Sequence, residues 1–465
     1  MSAGADRRPA FRRLAALLAV SAVLLFFDFG ARLYTTNDET RFPMMARDIV
    51  RNGHWLLPEI NGVPMLNKPP LHAWLIAIAA WPTGAVTPRI AQLPSLLAAL
   101  GLVAATYWIG ARLFAAAVGL GAGLIVVTTA GVFSLARSPV PDMTLALAIA
   151  LTIVAFLMAE LDGRRWALLV FYVLVGVAFW VKGPAGFLGL AVVLVYEVVV
   201  HRWAGPRRLL SPLGIGVLVL LVGSWAWMAS FTGRDAFVDE VLAQDFGRAY
   251  FTSGSWGRGG VLPALGQALS ILLPWVIVLP VALWWSSIRL EDPSRRRQIS
   301  LLLVWLATVF VLVAFSHRQR WRYYLPLCTP AALLIAAWLE RIRWRWRTEA
   351  FVAVWLVVAM ALVTGQVTVT ARQARSTDWG QIAAEVTKTP GALFALDAPE
   401  IVFAFYLDTP VLATQDYATF ARRPDATGLL IPARKLRDLP QPPELRQVAE
   451  GRMAGQDFAL LRKGQ

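Results

Sequence analysis

The sequence predicts an all-α polytopic membrane protein of about eleven transmembrane helices, with a long first outer loop and a small C-terminal α/β domain. Three observations carry that expectation. Of the 465 residues, 57% are hydrophobic and 16% are charged, and the mean hydropathy of +0.57 lies above the range of soluble domains. Apolar runs of about 20 residues, the length that crosses a hydrocarbon core of about 30 Å, recur along the chain. Arginines gather in alternate connections between those runs, as the positive-inside rule requires.

The first run, "FRRLAALLAVSAVLLFFDFGARL", follows Arg7 and Arg8 and includes Arg12 and Arg13 at its start. It is longer than the apolar core of a cleaved signal, so it reads as an uncleaved signal anchor with a cytoplasmic N-terminus. Further runs fall near 88–110, 116–136, 141–160, 166–181, 185–200, 209–231, 262–288, 299–316, 322–340 and 350–371. By alternation the turns "GRRW", "HRWAGPRR", "EDPSRRRQ" and "RIRWRWR" all face the cytoplasm. The opposite face then receives residues 34–87, the turns around Asp142 and Lys182, the loop 232–261, "SHRQRWRYY" and everything after 371. An odd number of spans places the C-terminus outside.

The loop 34–87 contains a helix-like "TRFPMMARDIVRN", a turn-rich "LLPEINGVPMLNKPP" and "LHAWLIAIAAW". The last is too short to span and reads as an interfacial or re-entrant helix. From 376 onward, "GALFALDA", "IVFAFYL" and "TGLLIPA" alternate with Pro, Gly and Asp, the pattern of a small α/β domain. The expected division is a membrane domain over 1–375 and an outer domain over 376–465. The net charge of +15 belongs to loops that set orientation and meet anionic lipid, and no nucleic-acid partner is expected. The single cysteine, Cys328, sits in an apolar run and reads as a small buried hydrophobe.

The ionisable residues of the outer face are Asp38, Glu39, Arg41, Lys68, Arg137, Asp142, Lys182, Asp239, Glu240, Asp245, Arg248, His317, Arg318, Arg320 and Arg322. Lys68 and Lys182 are the only lysines before Lys388, which points to a compact ammonium rather than any cation at those positions. Lys182 also fits a snorkelling helix end, broken by Gly183 and Pro184. "TNDE" fits a capping box from Thr36 to Glu39, whereas Pro43 argues for a helix that starts near Thr40 and leaves Asp38 and Glu39 in a preceding loop. Pro43 tips the reading toward an exposed loop ahead of the helix, with capping as the lesser alternative.

"NDETR", "NKPPL", "ARSPVPDM", "GVAFWVKGPAG" and "RYYLP" follow one another in order between residues 30 and 340. This set resembles the GT-C fold glycosyltransferases that use polyprenyl-phosphate sugars, in the bacterial branch containing lipid A aminoarabinose transferase, with protein O-mannosyltransferases more distant. The resemblance implies inverting transfer at the outer membrane face from a polyprenyl-phosphate-linked sugar donor to a lipid, glycan or protein acceptor. It implies that Asp38 is the essential acid, activating the acceptor or coordinating a metal, and that Asp142 matches an acidic position near the cavity; Asp142 and the adjacent Glu39 are further catalytic candidates. Arg41, Lys68, Arg248 and Tyr323 match ligands of the donor phosphate, and Lys182 joins them as a candidate. A divalent metal is left open, with Asp38, Asp239 and Asp245 as candidate ligands. The aromatic residue and glutamate expected before the KPP stretch are here Met65 and Asn67, and "DEVLAQDFGR" lacks the expected histidine. The rival class is a transporter of a lipid-linked sugar, for which inverted repeats and midplane-interrupted helices are the expected marks.

Overall fold

A computed structural model describes residues 7–66, 68–230, 260–288, 292–316, 319–342, 347–388, 391–423, 426–438 and 445–463. The chain forms two compact units. The first comprises Met1–Phe27, Leu66–His72 and Gln92–Val363; the second comprises Asp28–Met65, Ala73–Ala91 and Thr364–Gln465.

The helices before the first long gap are α1 (Arg7–Phe26), α2 (Asn37–Asn52), α3 (Leu71–Ala80), α4 (Pro88–Leu113), α5 (Ala116–Val127), α6 (Ala130–Leu135), α7 (Asp142–Asp162), α8 (Trp166–Lys182), α9 (Leu188–His201) and α10 (Pro212–Ala229). They are followed by α11 (Val261–Ile271), α12 (Leu279–Ile288), α13 (Pro293–Ala314), α14 (Cys328–Arg341) and α15 (Arg347–Arg375). Helix falls at each of the eleven apolar runs. Among the described residues, seven helices are long and apolar enough to cross a membrane, or eight if the pair Val261–Ile271 and Trp275–Ser286, bent by 119°, is one span. The chain is therefore a multi-pass membrane protein. Three runs make up the difference from the expected eleven: α1 is not among these helices, α5 and α6 split one run into two short pieces, and Trp166–Ala204 joins two runs in one 39-residue stretch.

Helix contacts in the first unit use small residues, which substitute in a membrane for a hydrophobic driving force between helices. A Cβ on Gly119 would lie 2.4 Å from the Tyr107 carbonyl, so α4 and α5 touch backbone to backbone. Helix α7 ends at Gly163, whose left-handed φ of 64° lets the chain reverse into α8. That reversal brings the start of α7 and the end of α8 to the same side.

In the second unit, Phe42, Met45, Ala46 and Ile49 line one face of α2 at helical spacing. They pack with Ala73, Ile76, Ala77 and Ala80 from α3, and with Tyr34, Ile401 and Phe405. The C-terminal residues add β3 (Ala392–Leu396), β4 (Val411–Thr414), β5 (Ala426–Pro432), β6 (Leu445–Met453) and β7 (Gln456–Lys463). They form a small sheet in the order β4-β3-β5-β7-β6. Strand β3 runs parallel to β4 and β5, while β7 is antiparallel to β5 and β6. Alternate residues of β3 serve opposite faces: Leu393 and Ala395 join one apolar cluster, Phe394 and Leu396 the other. Helices α16 (Gly380–Lys388), α17 (Glu400–Leu407) and α18 (Tyr417–Ala421) cover these faces.

Candidate active site

Two groups of the expected residues are built by the fold, one in each unit. In the second unit, Asp38, Glu39 and Arg41 lie on the first turns of α2. The helix begins at Asn37, not near Thr40, and Pro43 lies inside it. This corrects the expectation of a preceding loop. Pro43 removes one backbone bond and crowds the preceding carbonyl, but the buried face of Phe42, Met45 and Ala46 holds the helix through it. Burial therefore outweighs local propensity here.

The adjacent acids have different surroundings. Glu39 is 6% exposed, pairs with Arg32, and accepts from the Thr36 hydroxyl at 3.1 Å and the Thr35 N–H at 3.2 Å. It closes the helix N-terminus in the manner of a capping glutamate, whose negative charge also suits that end of the dipole. Asp38 is a quarter exposed, and its Oδ1 lies 3.6 Å from Nη1 of Arg41 one turn later. The turn is anchored by Asn37, which donates to Glu400 at 2.9 Å and accepts from the Ile401 N–H at 3.1 Å. Before it, the Tyr34 N–H donates to the Tyr406 hydroxyl at 2.8 Å. Burial pushes the Tyr406 phenol up to about 12, so it stays a neutral partner. Farther along, Arg47 and Arg51 both pair with Asp408, at 3.1 and 2.8 Å. Helix α2 is thus fastened along its length to the segment around α17.

In the first unit the centre is Asp142, the first residue of α7 and 4% exposed. Lys182, the last residue of α8, hydrogen-bonds its Oδ1, and Arg322 Nε stands 3.7 Å from its Oδ2. The Lys182 ammonium also lies 4.2 Å from the centroid of the Tyr323 ring, with the Arg322 guanidinium at 5.8 Å. Gly183, at φ 60°, turns the chain immediately after the lysine, a conformation that L side chains rarely adopt. A Cβ there would meet Pro69 Cδ at 3.9 Å, so the segment carrying Lys68 packs beside the end of α8.

His72 completes this cluster and was not singled out by the sequence. It is fully buried, and its Nδ1 lies 3.1 Å from the Thr144 hydroxyl. Burial lowers its pKa to about 4 against the opposing pull of Asp142, so the ring is neutral near pH 7. A lone histidine in an otherwise apolar helix just after "KPPL" was the available signal. Arg137, by contrast, donates to the Phe133 and Leu24 carbonyls at 2.8 and 2.7 Å and stacks on Phe133 at 3.7 Å, which ties helix ends together.

Asp142, Lys182 and Tyr323 are therefore brought together within one unit, with Arg322 added. Asp38, Glu39 and Arg41 share a helix in the other. Asn67, Asp239, Glu240, Asp245, Arg248, His317 and Arg318 lie outside the described residues. The physical character of the first-unit cluster is an excess of positive charge: two cations face one buried carboxylate. Such a centre attracts an anion, and its fixed donors suit an oxygen that gains negative charge during a reaction.

Residues 67–227 match the family described as dolichyl-phosphate-mannose-protein mannosyltransferase. The undecaprenyl phosphate-α-4-amino-4-deoxy-L-arabinose arabinosyl transferase 1 of Sodalis glossinidius is 28% identical over 355 residues, which cover 72% of this chain and 60% of that protein. The corresponding transferase of Serratia proteamaculans is 26% identical over 350 residues, covering 70% of this chain and 59% of that protein. The chain thus spans less than two thirds of the length of these relatives. Among solved structures, ArnT from Cupriavidus metallidurans bound to undecaprenyl phosphate superposes with a TM-score of 0.78 at 20% identity, covering 96% of this chain and 97% of the other. An Archaeoglobus fulgidus oligosaccharyltransferase gives a TM-score of 0.57 at 14% identity over 91% of this chain and 68% of the other. The chain has the GT-C fold that its motifs implied.

Proposed function

We propose that this protein is an inverting glycosyltransferase that moves a sugar from a polyprenyl-phosphate donor to an acceptor hydroxyl on a lipid, glycan or protein outside the cytoplasm. The observation that carries the reading is the buried Asp142 carboxylate faced by both Lys182 and Arg322, with Tyr323 over the ammonium. A donor phosphodiester becomes a phosphomonoester as the sugar departs, so it gains negative charge in the transition state. Fixed cations therefore stabilise the transition state more than the ground state.

In this reading Lys68, Lys182 and Tyr323 hold the donor phosphate, with Arg41 and Arg248 as further ligands. Asp142 orients Lys182 and Arg322 and prevents their mutual repulsion from opening the cluster. Asp38 takes the proton of the acceptor hydroxyl as its oxygen attacks the anomeric carbon. The carbon–phosphate-oxygen bond breaks on the opposite face, which inverts the anomeric configuration and releases polyprenyl phosphate. Glu39 serves by fixing the turn that carries Asp38. Of the candidate metal ligands, Asp38 is engaged with Arg41 and no step is assigned to a metal.

The same proposal includes the finer topology: eleven spans, a cytoplasmic N-terminus and an outer C-terminus in the inner membrane of a bacterium. It also includes the division into a catalytic membrane domain over 1–375 and a small outer domain over 376–465. The curated relatives named above act on undecaprenyl phosphate-linked aminoarabinose. Met65 and Asn67 stand where a matching amino-sugar site would have an aromatic residue and a glutamate, so a different sugar is proposed here.

The test is mass spectrometry of envelope lipids, glycans and proteins from a deletion strain complemented with wild type or Asp38→Asn. Wild type restores one sugar residue on a single class of acceptor, while the deletion and Asp38→Asn strains accumulate the polyprenyl-phosphate sugar. Identical profiles in all strains would overturn the reading.

A further inference from the structure

At the far end of α2, three potential metal ligands converge. Ten residues of helix, about 15 Å, separate Asp48 from Asp38, so this group is distinct from the acid proposed for catalysis. Ligand atoms of Asp48, His54 and Glu59 all lie within 4.8 Å of one another. His54 Nδ1 is already 3.1 Å from Asp48 Oδ2. Donors at about 2.0–2.1 Å around a tetrahedral ion stand about 3.3 Å apart, so this first pair has the required spacing.

The frame around the three residues is fixed. Asp48 is only 9% exposed, and its carboxylate is oriented by the Asn52 amide at 2.7 Å and the Glu59 N–H at 2.7 Å. Such bonds to a carboxylate are the outer-shell support that metal ligands usually have. Gly53, at φ 74°, ends α2 and turns the chain so that His54 faces back toward Asp48. The Trp74 indole donates to the Trp55 carbonyl at 2.6 Å, which pins the backbone beside the histidine. Strand β1 (Glu59–Ile60) pairs with β2 (Val63–Pro64), and the Met65 N–H to Pro58 carbonyl bond at 3.0 Å closes that hairpin. Among the described residues, the Glu59 carboxylate has no hydrogen bond or ion pair. A Glu59 carboxylate oxygen thus lies within 4.8 Å of the ligand atoms of both Asp48 and His54.

We propose that Asp48, His54 and Glu59 form a binding site for a divalent cation of the zinc class, which ties the end of α2 to the β1–β2 hairpin. One imidazole nitrogen and two carboxylate oxygens suit zinc better than magnesium or calcium, which favour all-oxygen sets. The ion replaces the hydrogen bond between His54 and Asp48. Nδ1 coordinates through its lone pair, the ring proton resides on Nε2, and water fills the remaining position. Small rotations of the exposed His54 and half-buried Glu59 bring the donors to bonding distance while Asp48 stays in place. The role is structural, and it stands independently of the transferase reading.

The experiment uses the full-length protein in detergent, stripped with chelator and titrated with zinc chloride by calorimetry, with bound metal counted by mass spectrometry. One equivalent of zinc is expected. His54→Ala and Glu59→Gln, both at accessible side chains, each weaken it about tenfold or more. Amide hydrogen exchange over residues 48–65 slows on adding zinc to wild type and does not change in either variant. Asp38→Asn keeps the zinc affinity of wild type. The proposal is overturned if no zinc binds, if both variants bind like wild type, or if Asp38→Asn abolishes binding that His54→Ala retains.

Discussion

Lys182 has two duties that a substitution separates. It compensates the buried Asp142 carboxylate and, in the proposed reaction, meets the donor phosphate. Replacing it by methionine leaves a buried acid with Arg322 as its remaining cation among these contacts, and breaking such a pair costs about 3–5 kcal/mol. Thermal unfolding in detergent should show that loss for Lys182→Met. Asp142→Asn with Lys182→Met together should recover part of it while activity stays absent. A neighbouring residue gives a pH signature. His72 has a folded pKa near 4, below the 6.5 of the free side chain, because burial opposes its charge. The unfolded chain binds the proton first as pH falls, so this contribution to stability is complete above pH 6.5 and is lost as pH drops toward 4. The size is about 3 kcal/mol by the pKa difference. His72→Gln should flatten the decline in unfolding temperature over that window, and an unchanged profile would contradict the neutral, buried histidine.

Helix α2 shows which elements could be read directly and which could not. Its apolar face and its end at Gly53 follow from residue spacing and from glycine's freedom at positive φ. Its start did not follow, because Pro43 suggested a later beginning, and the features that overrule it are remote in sequence: Asn37 clasped by Glu400 and Ile401, and the shared core with Phe405. Asp38 and Glu39 were already unequal in the sequence, and the fold adds the partner of the second acid, Arg32. Removing the clasp tests the element as a unit. Asn37→Ala is expected to cost about 1–2 kcal/mol in unfolding free energy, the range for lost hydrogen bonds, and to lower kcat more than it raises donor KM. Equal activity with reduced stability would assign the clasp to folding alone.

Across the whole molecule, the apolar runs located the helices well, since length and hydropathy are local properties. The number of crossings was less legible. Gly and Pro bends divide runs such as Val261–Ser286, and local composition does not say whether a bent pair is one passage or a re-entrant one. The cluster of Asp142, Lys182 and Tyr323 was partly legible, because each stood in a recognisable motif, but the pairing of Arg322 and the place of His72 required the fold. Orientation has a direct test. Cys328 is buried and is the only cysteine, so Cys328→Ala gives a background for single cysteines. Arg164→Cys should react with an impermeant maleimide only after the cytoplasmic side is opened, whereas Thr377→Cys should react in intact spheroplasts. The reverse pattern would invert the proposed topology.

In the proposed reaction Asp38 promotes transfer of a sugar from polyprenyl phosphate. Its most direct test is a reconstituted assay with donor lipid purified from the deletion strain, comparing wild type with Asp38→Asn at equal folded amounts. Wild type should release polyprenyl phosphate with inversion at the anomeric carbon, and Asp38→Asn should be about a thousandfold slower, within the range for loss of a positioned base. Full transfer by Asp38→Asn, verified as folded by its unfolding temperature, would contradict it.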